Sequence, residues 1–124
     1  MLRVSRLHPI VAVCLFLFST GCATTPPVTT GKVDHPRLVD GVYEGSYRSG
    51  PVKARVRVSI EDQRISNIQL IEHSTWKGKE AEAIIPDRIV QGQSTEVNAV
   101  SGATRSSRVI MNAVQNAVDK AMKK

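Results

Sequence analysis

Segment 52–60 alternates without a break: Val52, Ala54, Val56, Val58 and Ile60 are apolar, and Lys53, Arg55, Arg57 and Ser59 between them are polar. A period of two marks a strand with one face buried and the other wet. Ahead of it, "GVYEGSY" (41–47) puts Tyr43, Gly45 and Tyr47 on one face, and "RSGP" supplies a turn between the two strands. Behind it, "EDQRIS" reads as a second turn and "ISNIQLIEH" as a third β-rich segment. Three consecutive strands joined by short turns predict an antiparallel meander.

Past His73 the period changes. Ala81, Ile84, Ile85 and Ile89 fall at helical spacing, with Pro86 inside the stripe. Proline lacks the N–H that an interior helical hydrogen bond needs, so the expectation is a helix ending near Ile85 and a short second turn starting at Pro86. The last stripe is the clearest: Ile110, Ala113, Val114, Ala117, Val118, Ala121 and Met122 predict a long C-terminal helix over about 107–122. Lys120, Lys123 and Lys124 lie at its C-terminal end, where positive charge suits the helix dipole. The fold class expected is α+β, a small antiparallel sheet packed with helices.

The N-terminal part is of another kind. In "MLRVSRLHPIVAVCLFLFSTG", Arg3 and Arg6 precede an apolar run over 10–18, followed by small residues, which is the layout of a signal peptide. The run is far shorter than the roughly 20 residues a membrane-crossing helix requires. Ser19-Thr20-Gly21-Cys22 resembles the bacterial lipobox, with Ser19 where leucine is usual. That resemblance implies cleavage before Cys22 and lipid attachment at Cys22. Cys14 would leave with the signal, so Cys22 would be the sole thiol and no internal disulfide could form. Several acyl chains on one residue hold a protein to a membrane far better than one. The implied location is extracytoplasmic, on the periplasmic face, and in the outer membrane because Ala23 is not the aspartate that retains some lipoproteins at the inner membrane. An ordinary secretory signal with a chance cysteine is the competing reading.

Segment 23–39, "ATTPPVTTGKVDHPRLV", is rich in Thr and Pro and has no periodicity, so it reads as a tether. Fully extended, it would reach roughly 50–60 Å. The division expected is therefore a signal over 1–21, an anchored tether over 22–39 and one folded domain over 40–124.

Charge narrows the partners. The chain carries a formal net charge of +6, part of which leaves with Arg3 and Arg6. A basic balance can signal nucleic acid, but an exported lipoprotein rarely meets any. Tyr43, Tyr47 and Trp76, the aromatics outside the signal, are scattered and make no stacking platform for single strands. No nucleic-acid partner is expected. A solvated surface, a membrane face or an anionic ligand explains the charge equally well.

Candidate chemistry concentrates in "NAVSGATRSS" (98–107). Ser101, Gly102, Ala103 and Thr104 have small side chains, so a ligand can approach the backbone closely. The N–H groups opening the following helix lack intrahelical partners and favour an anion, commonly phosphate. Thr104, Ser106 and Ser107 add hydroxyls. On these residues alone a plain N-cap explains the turn as well. No metal-ligand cluster, P-loop or catalytic triad is visible, so no catalytic or metal residues are assigned. His73 reads more simply as an exposed turn residue than as a ligand contact. Trp76 either stacks near a ligand or packs under the next helix, and Lys53, Arg55 and Arg57 read as a solvated strand face.

Three stretches together, "DGVYEGSY" (40–47), "HSTWKGKEAEAIIPDRIVQGQS" (73–94) and "NAVSGATRSSRVI" (98–110), resemble the FMN-binding domain family. The family also occurs as the C-terminal part of one component of the sodium-translocating NADH:quinone reductase and of one component of the Rnf electron-transport complex. The resemblance implies FMN as cofactor and a domain that passes electrons through the isoalloxazine ring between redox donor and acceptor proteins, which it does not name. In many relatives the last residue of the turn, here Thr104, is esterified to the FMN phosphate by a separate flavin transferase that uses FAD. Asn98 stands where the family motif usually has aspartate, and carries no charge. Gln93 and Ser94 fall in a family-like stretch and are candidates for shaping the pocket. The domain is small and poor in acids and bases, which suits an electron carrier better than a self-sufficient enzyme. Two other readings stay open: a lipoprotein that uses the pocket for another small anion, and a structural envelope lipoprotein whose turn only caps a helix.

Overall fold

The computed structural model describes residues 31 and 33–122. The expected signal peptide and the lipid site at Cys22 lie outside the described residues. Three strands, β1 (Gly41–Ser49), β2 (Val52–Glu61) and β3 (Arg64–Ser74), are followed by helices α1 (Ala81–Gly92) and α2 (Thr104–Ala121). The sheet is antiparallel with order β1-β2-β3, the meander its sequence predicts, and the fold is α+β.

The alternation of β2 works as expected. Val52, Ala54, Val56, Val58 and Ile60 are all buried, while Arg55 and Arg57 are exposed. Both helices cover this one face, α2 over β1 and β2 and α1 beside β3. The fit between α2 and β1 is close at Gly45, where an added Cβ would lie 2.1 Å from the Ala113 carbonyl oxygen and 2.5 Å from the Ala117 nitrogen. On the open face, Arg57 pairs with Glu44 at 2.8 Å and Lys53 with Glu72 at 3.6 Å. The Arg57 hydrogen bond holds the Glu44 carboxyl below its ordinary pKa.

Each hairpin has two turn residues. Asp62 and Gln63 both adopt the left-handed region, with φ of 52° and 58°, as a type I′ turn demands. Neither is glycine, so this turn carries strain. Asp40 supports it: one carboxylate oxygen accepts from the Asp62 N–H at 3.1 Å and the other from the Gln63 N–H at 3.0 Å.

Three local expectations give way. Pro86 does not end the first helix; α1 runs through it. Only the hydrogen bond to the Glu82 carbonyl is lost, and Pro86 is buried against the core with Ala81, Ile85 and Ile89, so packing outweighs the local penalty. Helix α2 begins at Thr104, three residues earlier than its apolar stripe suggests. Segment 33–39, read from the sequence as tether, belongs to the folded unit. It contains a 3-10 turn over His35–Arg37, buries Val33 and Leu38 and joins the far end of α2 through the Val39 N–H to the Ala121 carbonyl at 2.8 Å and a bridge between Leu38 and Met122. Among the described residues no helix is long and apolar enough to cross a membrane.

Candidate functional site

The turn ahead of α2 is shaped by its own backbone and by one hydroxyl. Gly102 has φ of +82°, a region that L side chains rarely adopt. The Ala103 N–H bonds the Val100 carbonyl at 2.9 Å. Buried Ser107 closes the turn from inside, donating to the Ala103 carbonyl at 2.7 Å and accepting from the Val100 N–H at 3.0 Å. The helix then begins without a side-chain cap on Ala103. Its first intrahelical bond is Ser107 N–H to the Ala103 carbonyl at 2.8 Å, so the N–H groups of Thr104, Arg105 and Ser106 have no intrahelical acceptor.

The loop that leaves β3 is fastened to this helix start. The Thr75 and Ser106 hydroxyls lie 3.1 Å apart, and both reach the Lys77 carbonyl, Ser106 at 3.2 Å. Gly78 packs so tightly behind them that a Cβ would meet the Ser106 Oγ at 2.6 Å and its Cβ at 2.9 Å. Between the loop, the β1–β2 turn and the SGAT turn opens a cleft of about 510 Å³, within the usual range for small-molecule sites. It is lined by Pro51 and Val52, by Thr75, Trp76 and Lys77, and by residues 102–106.

The predicted site residues divide into two groups. Gly102, Ala103 and Thr104 line the cleft, with Thr104 exposed at the first position of α2. Ser101 is exposed at the tip of the turn and is not among the lining residues. Ser106 borders the cleft but is 2% exposed, and Ser107 is fully buried. Their hydroxyls hold the scaffold, leaving the Ser106 N–H rather than its side chain for an anion. Gln93 and Ser94 are elsewhere: Gln93 bonds Ile65 and Val90, and Ser94 bonds residues 31 and 96. Asn98 is exposed and its backbone carbonyl accepts from Arg88 at 2.6 Å, outside the cleft.

His73 is not an exposed turn residue. Its side chain is 1% exposed on β3, and Nδ1 lies 2.8 Å from the Glu82 carboxylate. The other ring nitrogen, Nε2, is buried without a hydrogen-bond partner among the described residues. Trp76 does not pack under α1; it is 96% exposed. Residues that sequence reasoning did not assign complete the walls: Pro51, Val52, Thr75, Lys77 and Arg105. Their only signal is membership of the hairpin turn, of the "STWKG" stretch or of the helix start.

Chemically, the cleft offers unpaired amides and a hydroxyl at one end, Lys77 and Arg105 as cations, and apolar walls. Among the described residues no carboxylate or imidazole lines it, and no three potential ligands gather to hold a metal. This donor set fits a phosphate attached to an apolar group.

Comparison with known proteins agrees. A family model described as FMN-binding domain matches residues 48–119. An uncharacterized protein of Treponema pallidum (strain Nichols) is 35% identical over 86 residues, which is 68% of this chain and 24% of that protein, so the chain spans about a quarter of that relative. The crystal structure of the CPE2226 protein from Clostridium perfringens superposes with a TM-score of 0.56 over 68% of this chain and 88% of the other, at 16% identity, which speaks to fold alone. The chain belongs to the FMN-binding domain family, and FMN is its cofactor.

Proposed function

We propose that this chain is a membrane-tethered electron carrier working outside the cytoplasm, with FMN joined through its phosphate to Thr104. The observation that carries the reading is the placement of Thr104. It is an exposed hydroxyl at the first position of an uncapped helix, bordering an apolar cleft.

Each part of the site has a task in this account. The N–H groups of Thr104, Arg105 and Ser106 and the positive end of the helix dipole receive the phosphate. Lys77 and Arg105 balance its charge. Pro51, Val52 and the loop over 75–77 exclude water from the ring. FMN, when bound, supplies the one- and two-electron chemistry. Among the described residues the cleft lining has no carboxylate or imidazole to move protons on a substrate, which favours carrying electrons over transforming a substrate.

Attachment would proceed on a partner flavin transferase. The Thr104 oxygen displaces AMP from the phosphorus of the FMN half of FAD, forming the phosphoester and releasing a proton. An alcohol is a poor nucleophile unaided, and among the described residues the cleft offers no carboxylate or imidazole beside Thr104, so activation falls to the transferase. Asn98 in place of the family's aspartate lies outside the cleft, where it touches neither wall nor phosphate end. A covalent bond would keep the flavin on a protein that has no cofactor supply around it.

The tether in this account is shorter than 22–39, because 33–39 is packed on the domain. The membrane would then lie nearer the folded unit than the full tether allows. Protein made with a flavin transferase should be yellow and should keep its flavin through denaturation, and Thr104→Ala should lose it on unfolding. Colourless protein under those conditions, or flavin that washes out of the denatured wild type, overturns the covalent reading.

A further inference from the structure

Trp76 is the chain's single tryptophan, and its side chain is almost wholly in water, at 96% exposure. Indole burial is strongly favourable, so this exposure is imposed by the surroundings. The backbone on either side is fixed. Thr75 is bound to the Ser106 hydroxyl, Lys77 accepts from Ser106 through its carbonyl, and Gly78 is wedged against Ser106. Residue 76 is therefore held at the apex of a pinned loop. Its side chain stands at the mouth of the cleft, and it is the one aromatic group among the described residues lining it.

From this geometry we infer that Trp76 is the stacking platform of the site. Its indole covers a face of the isoalloxazine ring, and it makes the cleft selective for planar aromatic ligands over a bare anion. The inference rests on the FMN site proposed above. The uncapped amides recognise any phosphate, whereas the pinned indole recognises the ring. Stacking on a preplaced aromatic group loses little entropy, because the loop does not have to order when the ligand arrives. Pro51 and Val52, which follow in register beside the end of β3, add apolar lining but offer no ring of their own to stack on.

The single tryptophan makes the test direct. The full chain, purified without a flavin transferase, is titrated with FMN, with riboflavin and with inorganic phosphate while indole emission is followed, and FMN binding is measured independently by equilibrium dialysis. FMN and riboflavin should quench the indole, and phosphate should not. Trp76→Ala should weaken FMN binding by roughly ten-fold or more, as loss of a base-stacking aromatic does, while Trp76→Phe keeps most of the affinity. Since the side chain is in water, both variants should melt like wild type. If dialysis shows FMN bound to wild type but Trp76→Ala binds equally well, or indole emission is unchanged at saturation, the stacking role is wrong and the FMN site stands. If wild type binds no FMN, both fail.

Discussion

The Ser106 hydroxyl lies 3.1 Å from that of Thr75 and donates to the Lys77 carbonyl, so the first turn of α2 and the loop leaving β3 form one unit. Ser106→Ala should cost about 1 kcal/mol, the ordinary net worth of a hydrogen bond with some added cost for the buried partners left behind. Urea denaturation measures this loss, and FMN affinity should fall with it because the two walls of the cleft lose their shared fastening.

Gly78 makes a sharper prediction. At φ of +105°, with the Ser106 Oγ 2.6 Å from an added Cβ, Gly78→Ala combines backbone strain with a clash. The expected loss is about 2–4 kcal/mol. Adding Ser106→Gly removes the clashing side chain and should return part of the stability, leaving the strain. Strict additivity of the two substitutions in a double-mutant cycle would contradict the close contact.

At Gly45 the neighbours of an added Cβ are helix backbone atoms, the Ala113 oxygen and the Ala117 nitrogen. Backbone cannot rotate away as a side chain does. Gly45→Ala should therefore destabilise by about 3 kcal/mol or more, read as a large fall in melting temperature with no direct effect on the cleft.

The buried His73 pair predicts an asymmetry. With Nδ1 bonded to Glu82, Nε2 is left without a partner among the described residues, a standing cost of about 1–3 kcal/mol. Glu82→Ala strands the second ring nitrogen too and should destabilise by a similar amount. His73→Leu removes both nitrogens from the interior, while Glu82, 37% exposed on its side chain, turns to water. That variant should lose much less stability than Glu82→Ala, or gain some, in equilibrium unfolding.

The sheet's open face gives a pH dependence. Arg57 lowers the Glu44 pKa first through its hydrogen bond to the carboxylate. A carboxyl depressed in the folded state stabilises above its unfolded pKa, and the contribution is lost as pH falls through the folded value. Glu44 should titrate below an ordinary glutamate in NMR, and Arg57→Gln should return it toward that range. The effect on stability should be small and screened by salt, since both side chains are 46% exposed at the surface.

What is legible in the sequence follows from which contacts are local. The strands of the meander and the stripe of α2 repeat at periods of two and 3.6, so burial of one face writes itself into the order of residues. Leu38 and Val33 sit singly in a polar, proline-containing stretch, and what Leu38 meets is Met122 at the far end of α2, distant in the chain. No period reveals such a contact. Pro86 escapes the local rule, which counts a missing N–H and cannot see the core that the ring packs against. His73 finds its partner nine residues on, across a change from strand to helix. The SGAT turn marks the helix start, but its hydroxyls divide in a way no local pattern shows: Thr104 faces the cleft, while Ser106 and Ser107 hold the scaffold.

Thr104 is the residue on which the proposed function turns, as the point where FMN is held. Intact-mass spectrometry of the chain produced in an envelope containing a flavin transferase, followed by peptide mapping, tests it most directly. The expected result is a mass increase of one FMN less one water, located on Thr104 and absent from Thr104→Ala. Unmodified Thr104 in that protein, or the same adduct on another residue, would contradict it.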